Sequence, residues 1–239
     1  MGAPFPGGEG IFETIKTWKG SPFALDRHIN RATLSAKKLS LPMLSDQEIN
    51  EAIKIHLTSH PVSTEFGRLR VTFFTSGQMQ LLHESYRNWK QPAKLTMTVQ
   101  SLDEGGVLAG IKALPYGENL EILESARSLG FDDGIRLNSK GEVCETSVAN
   151  LLFRLDGRWI TPDLSSGCLP GIMRELALEW FEIHEGQMKV SDLARVEAIF
   201  LLSSLKDFQP VSVLDHHELE IDTYFLEKVR ARVSQAWVG

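Results

Sequence analysis

The 239-residue sequence has few cysteines and no long apolar run, and each shortage excludes a class of protein. The two cysteines, Cys144 and Cys168, form no CxxC pair, so a disulfide framework is not predicted. No apolar stretch approaches the roughly 18 residues that a membrane-spanning helix needs. The opening residues, MGAPFPGGEG, lack the basic start and apolar core of a signal peptide. We therefore expect a cytoplasmic protein that does not enter a membrane.

Charge and short motifs exclude further classes. The net charge is −6 and no basic block is present, so a nucleic-acid partner is not predicted. The seven histidines form no HExxH, and we expect no metal site. The sequence also lacks GxxxxGK[ST], GxSxG and a GxGxxG after a strand. These absences argue against nucleotide hydrolases of the P-loop type, serine hydrolases and Rossmann dehydrogenases.

Apolar spacing predicts alternating strands and helices. In the first half, Asp26 is predicted to cap one helix, and SDQE at 45–48 forms a capping box that opens a second. In the second half, a helix is predicted over 119–129, with Leu129 on its inner face, and another within 169–184. A last helix is predicted from about Asp222. A strand pair is predicted around Lys19–Gly20, and further strands are predicted at 68–74, 79–84, 95–100, 132–138, 142–146, 149–155, 158–162, 198–204 and 210–215.

A glycine-rich, acidic stretch, LDEGGVLAG at 102–110, is the predicted connection between two domains. We predict a smaller N-terminal α/β domain over residues 1–103. An interdomain linker follows over 104–110. A larger C-terminal domain is predicted over 111–239.

Two side chains stand out as candidate catalysts. Lys112 lies in the apolar run VLAGIKALP, where it is either a surface lysine with a packed stem or an amine that reacts with an aldehyde. Glu145, on a predicted strand, is either solvated or a carboxylate that holds a ring nitrogen protonated. For both residues the local pattern favours the structural interpretation, because a single chemical residue type is a weak signal.

Several features could bind an anion. LPGIMRE at 169–175 is an ordinary helix start, but the N–H groups of a helix start also attract phosphate. Arg31 is either a surface arginine or a phosphate ligand. Ser203 and Ser204 follow an apolar strand and offer hydroxyls. An amine, an acid partner and an anion site are together what pyridoxal 5′-phosphate requires.

Six segments, in order along the chain, resemble those of the class IV aminotransferases, the fold-type IV pyridoxal-phosphate enzymes. This family includes branched-chain aminotransferases, D-amino-acid aminotransferases and aminodeoxychorismate lyases. GIFETIK resembles its G-x-F-E-T opening, and GFDDGIRLNSKGEVCETSVANLLF resembles G-x-D-E-A-L-x-L-D-x-x-G-x-V-x-E-x-x-x-x-N-I-F. The other four are PFALDRHINRATLSAKKL, GIKALPYGEN, ITPDLSSGCLPGIMRE and IFLLSSLKDFQPVSVLD.

The resemblance implies a role for each candidate residue. Lys112 falls on the lysine that links to the cofactor, and Glu145 on the glutamate that pairs with the pyridine nitrogen. Many aminotransferases of the family have a tyrosine at the position that is Gly117 here, and Tyr116, one residue earlier, is expected to reach the 3′-oxygen of the cofactor. The implied phosphate ligands are Arg31, Ser204 and the backbone of Ile172 and Met173.

The resemblance also implies an α/β (α+β) fold with two domains, the cofactor in the cleft between them, and a homodimer. We favour a transaminase that moves an amino group between a small amino acid and a 2-oxo acid. The alternatives are aminodeoxychorismate lyase and a non-catalytic pyridoxal-phosphate-binding homologue. Nine residues precede Gly10 where relatives usually have a strand pair, so we expect part of the first sheet to be missing or replaced.

Overall fold

The structure, a computed structural model, describes residues 9–237. The expectations about the opening residues fall on 1–8 and lie outside this range. Within residues 9–237 no helix is both long and apolar enough to cross a bilayer. The helices are α1 (Leu25–Leu39), α2 (Asp46–Ser59), α3 (Gly117–Ser128), α4 (Ile172–Trp180) and α5 (Thr223–Ala236). The strands are β1 (Gly10–Trp18), β2 (Ser21–Pro22), β3 (Phe66–Phe74), β4 (Met79–Tyr86), β5 (Ala93–Leu102), β6 (Ala113–Leu114), β7 (Asp133–Asn138), β8 (Val143–Thr146), β9 (Asn150–Leu155), β10 (Arg158–Pro162), β11 (Ile183–Gly186), β12 (Val196–Ser203), β13 (Asp207–Leu214) and β14 (His217–Glu218).

The chain divides into two compact units, which confirms the mixed α/β class. The first unit contains the described residues up to Asn88 together with Ile111–Gly117. The second contains Trp89–Gly110 and the described residues from Glu118 onward. The chain therefore passes between the units three times.

This division corrects the predicted boundaries at 1–103, 104–110 and 111–239. Strand β5 pairs in parallel with β7 and β13 of the second unit, and β6 pairs with β1 of the first. The predicted linker is packed within the second unit, where Glu104 accepts hydrogen bonds from the backbone and hydroxyl of Ser139 at 3.1 and 2.7 Å. Lys112 consequently belongs to the first unit.

The first unit is an antiparallel sheet in the order β2-β1-β3-β4, with β6 pairing the other edge of β1. Helix α1 contributes Ile29 to the core, and α2 contributes the fully buried Ile49 and Ile53. The helix faces follow the predicted spacing of three and four residues. The sheet carries β1 at its centre, so β1 is buried along most of its length.

The caps of the first two helices differ in how well local sequence predicts them. Ser45 and Glu48 form the predicted capping box, with both reciprocal hydrogen bonds present. The prediction that Asp26 caps α1 is wrong. Ala24, in the left-handed conformation at φ 49°, is the N-cap, and Asp26 lies in the first turn. A carboxylate there still interacts favourably with the helix dipole.

The second unit is built on one large sheet that closes on itself. Its strand order is β11-β10-β9-β12-β13-β5-β7-β8. A further pairing between β8 and β9 closes the six strands from β9 to β8 in this order into a ring. The closing pair is Glu145 with Asn150. The closed arrangement encloses the larger core, which includes Leu95, Ile135, Phe153 and other apolar side chains.

Two helices of the second unit differ from their predictions. In α3 the buried residues are Ile122 and Ala126, whereas Leu129 lies beyond the helix and is 68% exposed. Helix α4 ends at Trp180 because the next residue takes an extended conformation. Ile183, predicted to lie on the apolar face of this helix, instead begins β11 and pairs with β10.

Candidate active site

Lys112 lies against two aromatic rings of the first unit. Its backbone carbonyl accepts a hydrogen bond from the N–H of Phe12 at 2.9 Å, which attaches the segment before β6 to the start of β1. Its Nζ lies 4.5 Å from the centroid of the Phe12 ring and 4.8 Å from that of Tyr116. These two rings meet edge to face, with centroids 5.0 Å apart. The aromatic pair therefore limits the positions that the amine can take.

Arg31 lies in a buried ion-pair cluster of the first unit. Its Nε and Nη2 donate to the two oxygens of Glu13 at 2.9 and 2.6 Å. Nδ1 of His28 lies 2.7 Å from the same carboxylate, and because a carboxylate only accepts, Nδ1 carries the hydrogen. All three side chains are buried. Two donors of Arg31, the predicted phosphate ligand, are thus held by Glu13.

The pKa values show that this cluster contains a charged carboxylate and a disfavoured imidazolium. Burial raises the pKa of Glu13, but Arg31 and the hydrogen bond from His28 outweigh burial and lower the pKa to about 2. Burial lowers the pKa of His28 below its usual range, against the opposing effect of Glu13. Glu13 therefore fixes the orientation of Arg31 from inside the first unit.

We expect the Glu13 carboxylate to make the protein sensitive to acid. Its pKa of about 2 lies below the 4.5 of an unperturbed glutamate, so its contribution to stability is complete above pH 4.5 and is lost as the pH falls toward 2. Between about pH 5 and about pH 3, the free energy of unfolding of the wild type should fall by about 2 kcal/mol more than that of Glu13→Gln. Urea unfolding at both pH values measures this difference. Equal losses would contradict the assignment of a charged Glu13.

Glu145 is held in the second unit by the segment that precedes α4. Its Oε2 accepts the N–H of Leu169 at 3.0 Å and the Nδ2 group of Asn150 at 3.3 Å. The same Nδ2 group donates to the carbonyl of Leu169 at 2.9 Å. Asn150 therefore ties the carboxylate on β8 to the loop that leads into α4.

The start of α4 presents backbone N–H groups without a side-chain cap. Gly171 is the N-cap and offers no side chain to the first turn, which begins with the buried Ile172 and Met173. A Cβ on Gly171 would lie 2.0 Å from Oδ1 of Asn150, so only glycine fits there. A helix start attracts anions such as phosphate, because its N–H groups are not bonded within the helix.

Ser204 lies directly after β12, in the turn that leads to β13. The turn is closed by the pairing of Ser203 with Asp207, which takes a left-handed φ of 53°. The hydroxyl of Ser203 accepts the N–H of Lys206 at 3.3 Å. The turn geometry thus depends on Ser203, whereas the predicted role of Ser204 stays a prediction.

The predicted site residues fall into two groups, one in each unit. Lys112, Tyr116 and Arg31 lie in the first unit, and Glu145, Ile172, Met173 and Ser204 lie in the second. Sequence analysis missed three side chains that hold members of these groups. Their signals were the E of FET, a histidine one helical turn before Arg31, and the asparagine that ends ETSVAN. These three side chains are Glu13, His28 and Asn150.

The chain belongs to the amino-transferase class IV family, whose profile matches residues 10–214. It is 26% identical to the probable branched-chain-amino-acid aminotransferase of Thermotoga maritima over 87% of this chain and 78% of that protein. It is 27% identical to the aminodeoxychorismate lyase of Bacillus subtilis, again over 87% and 78% of the two chains. The solved structure of a fold IV transaminase from Curtobacterium pusillum superposes with a TM-score of 0.80 at 24% identity, covering 93% of this chain and 84% of that one. This last likeness shows the fold.

Enzymes of this family depend on pyridoxal 5′-phosphate, and the chain is therefore a pyridoxal-phosphate enzyme. The residues present fit that cofactor. Lys112 supplies an amine and Glu145 supplies a carboxylate. The start of α4 has no side-chain cap, so its N–H groups suit an anion. Asn150 packs against Gly171 at this helix start, where a Cβ would not fit. These groups suit, in turn, the aldehyde, the pyridine nitrogen and the phosphate of the cofactor.

Proposed function

We propose that the chain is a transaminase that moves an amino group between a small amino acid and a 2-oxo acid. The observation that carries this proposal is the placement of the Lys112 amine within 5 Å of the ring centroids of both Phe12 and Tyr116, at 4.5 and 4.8 Å. A lysine fixed in this way can return a proton to one face of a bound substrate reproducibly. Family membership supplies the class of reaction.

The residues divide the work between proton transfer and binding. When bound, the cofactor supplies an aldehyde and a ring that accepts an electron pair. Lys112 removes the proton from the substrate Cα as a general base and then donates it as a general acid. Glu145 holds a proton at the pyridine nitrogen, and Tyr116 donates to the 3′-oxygen of the same ring.

Four residues are proposed to bind the phosphate group. Arg31 contributes charge, Ser204 contributes a hydroxyl, and the backbone N–H groups of Ile172 and Met173 contribute the start of α4. Their common effect is orientation, because a fixed phosphate holds the ring in one place while the proton moves. The buried Glu13 supports Arg31 in this role.

Aminodeoxychorismate lyase is the second candidate. The relative from Bacillus subtilis that carries this name matches the chain as closely as the aminotransferase relative does, at 27% against 26% identity. The lyase releases pyruvate from 4-amino-4-deoxychorismate and leaves p-aminobenzoate. The same Lys112 would serve as the base and acid.

A substrate screen separates the two activities. The purified, cofactor-loaded protein is mixed with single amino acids, and the absorbance of its cofactor is followed without an oxo acid. A transaminase is expected to lose the absorbance of the lysine-linked cofactor and recover it when a 2-oxo acid is added. Pyruvate release from 4-amino-4-deoxychorismate, without any amino acceptor, would instead identify the lyase. Cofactor binding with neither reaction would identify the non-catalytic homologue.

We also propose that the protein works as a homodimer. The support is the family to which it belongs. Light scattering on the cofactor-loaded protein is expected to give twice the chain mass. A mass of one chain that retains full activity would contradict this proposal.

A further inference from the structure

A second charged side chain lies beside Glu145 on the same face of the sheet. Arg136 on β7 is the residue directly opposite Glu145 on β8 in their antiparallel pairing. Side chains of directly opposed residues project from the same face and lie about 5 Å apart at their Cβ atoms. The side chain of Arg136 therefore projects from the same face of the sheet as the carboxylate that is proposed to hold the pyridine nitrogen.

Arg136 is buried, and its hydrogen bonding is incomplete. The residue is only 5% exposed. Its Nη2 donates to Oε1 of Glu118 at 2.9 Å, while its buried Nε has no hydrogen-bond partner among residues 9–237. An arginine has five N–H donors, and a buried donor without a partner destabilises the protein. Arg136 thus has an N–H donor, at Nε, to which no group within residues 9–237 bonds.

The carboxylate that pairs with Arg136 is largely exposed to water. The side chain of Glu118 is 57% exposed, so water competes for this carboxylate and screens its charge. Arg136 itself is shielded from water on nearly every side. A buried guanidinium paired with a solvated carboxylate attracts a second anionic group.

We propose that Arg136 binds a negatively charged oxygen in the same site as Glu145, an inference that rests on the proposed function. Two sources have this chemistry: the ring oxygen of the cofactor and a carboxylate of the substrate. The position escaped sequence analysis because the motif G-x-D-E-A-L-x-L-D leaves it open. Only the pairing with Glu145 across the sheet connects Arg136 with the candidate site.

The test compares Arg136→Met with Arg154→Met. Methionine keeps much of the length of the side chain and removes its charge, while Arg154 is a matched control on the same sheet. It lies on β9 and pairs with Glu197 and Asp222. For each variant we would measure the dissociation constant of the cofactor, the pH dependence of the bound cofactor's absorbance, and the dissociation constant of succinate as a plain carboxylate probe.

Each source of the anion predicts its own result. If Arg136 binds the ring oxygen, Arg136→Met raises the dissociation constant of the cofactor about ten- to hundredfold and shifts the pH dependence of its absorbance. If Arg136 binds the substrate, those two properties stay as in the wild type, and succinate binding weakens about ten- to hundredfold. In either case Glu118→Gln should tighten the same interaction, because the competing carboxylate is lost.

The inference is overturned if Arg136→Met matches Arg154→Met in all three measurements. Should Arg136→Met not fold, Arg136→Gln, which also removes the charge, is measured instead, and unchanged cofactor and succinate binding in that variant would likewise overturn it. The proposed function fails separately, by wild-type protein that forms no borohydride-stable link between the cofactor and Lys112. The two failures are therefore distinguishable.

Discussion

Replacing Lys112 with alanine is expected to reduce turnover by at least about a thousandfold, because the substitution removes both the group that links to the cofactor and the base that moves the proton. The measurement is the steady-state rate of the cofactor-loaded variant, together with its absorbance spectrum. The absorbance of the lysine-linked cofactor should disappear. Lys54→Ala is the matched control, since Lys54 is an exposed lysine of the first unit.

A small amine in solution gives this experiment a second arm. Methylamine added to Lys112→Ala is expected to restore part of the activity, because a diffusible amine can carry the proton that the missing side chain carried. Lys54→Ala should show no such response. Full turnover by Lys112→Ala in the absence of added amine would contradict the assignment of Lys112 as the catalytic residue.

Replacing Glu145 with glutamine is expected to slow turnover by about a hundredfold or more while the cofactor stays bound. The amide cannot stabilise a proton on the pyridine nitrogen, so the charge that develops during the reaction loses its electrostatic support. Its oxygen can still accept the N–H of Leu169, which holds Oε2 at 3.0 Å in the wild type. Rate and cofactor stoichiometry are the two quantities to measure.

The control for Glu145→Gln is Glu124→Gln, the same chemical change at an exposed position on α3 of the second unit. The control should keep the wild-type rate. A Glu145→Gln protein that turns over as fast as the control would show that the carboxylate has no role at the ring. Loss of the cofactor in Glu145→Gln would show that the carboxylate acts in binding instead.

Local sequence predicted those parts of the fold that local interactions determine. The capping box of Ser45 and Glu48 needs only four consecutive residues, and it is present as predicted. The predicted strands at 149–155 and 158–162 are joined by Asp156 and Gly157, a dipeptide that favours a tight hairpin, and both residues adopt positive φ. Helix α5 also begins as predicted, at Thr223 directly after its N-cap Asp222.

The remaining features depend on contacts between distant parts of the chain. Strand β5 has the same local pattern in either unit, and only its parallel pairing with β7 and β13 assigns it to the second. The linker prediction failed for the same reason, since a glycine-rich stretch can be a connection or a packed loop. Periodicity could not anticipate that Phe181 ends α4.

The candidate site shows the same limit. The resemblance of six segments to the class IV family indicated Lys112, Glu145 and Arg31, whereas the local pattern at Lys112 and Glu145 favoured a structural interpretation. Sequence did not indicate the hydrogen bonds of Glu13 with Arg31 and of Asn150 with Glu145. Each of these bonds depends on how the chain folds around the two residues. Residues that orient a candidate site residue can be recognised only from the folded structure, in which their hydrogen bonds to it are visible.

The most direct test of the account is chemical fixation of the cofactor. Wild-type protein loaded with pyridoxal 5′-phosphate is reduced with borohydride, digested and mapped by mass spectrometry. We expect one modified peptide, with the cofactor's mass on Lys112. Modification of a different lysine, or none at all in protein shown to contain the cofactor, would contradict the account.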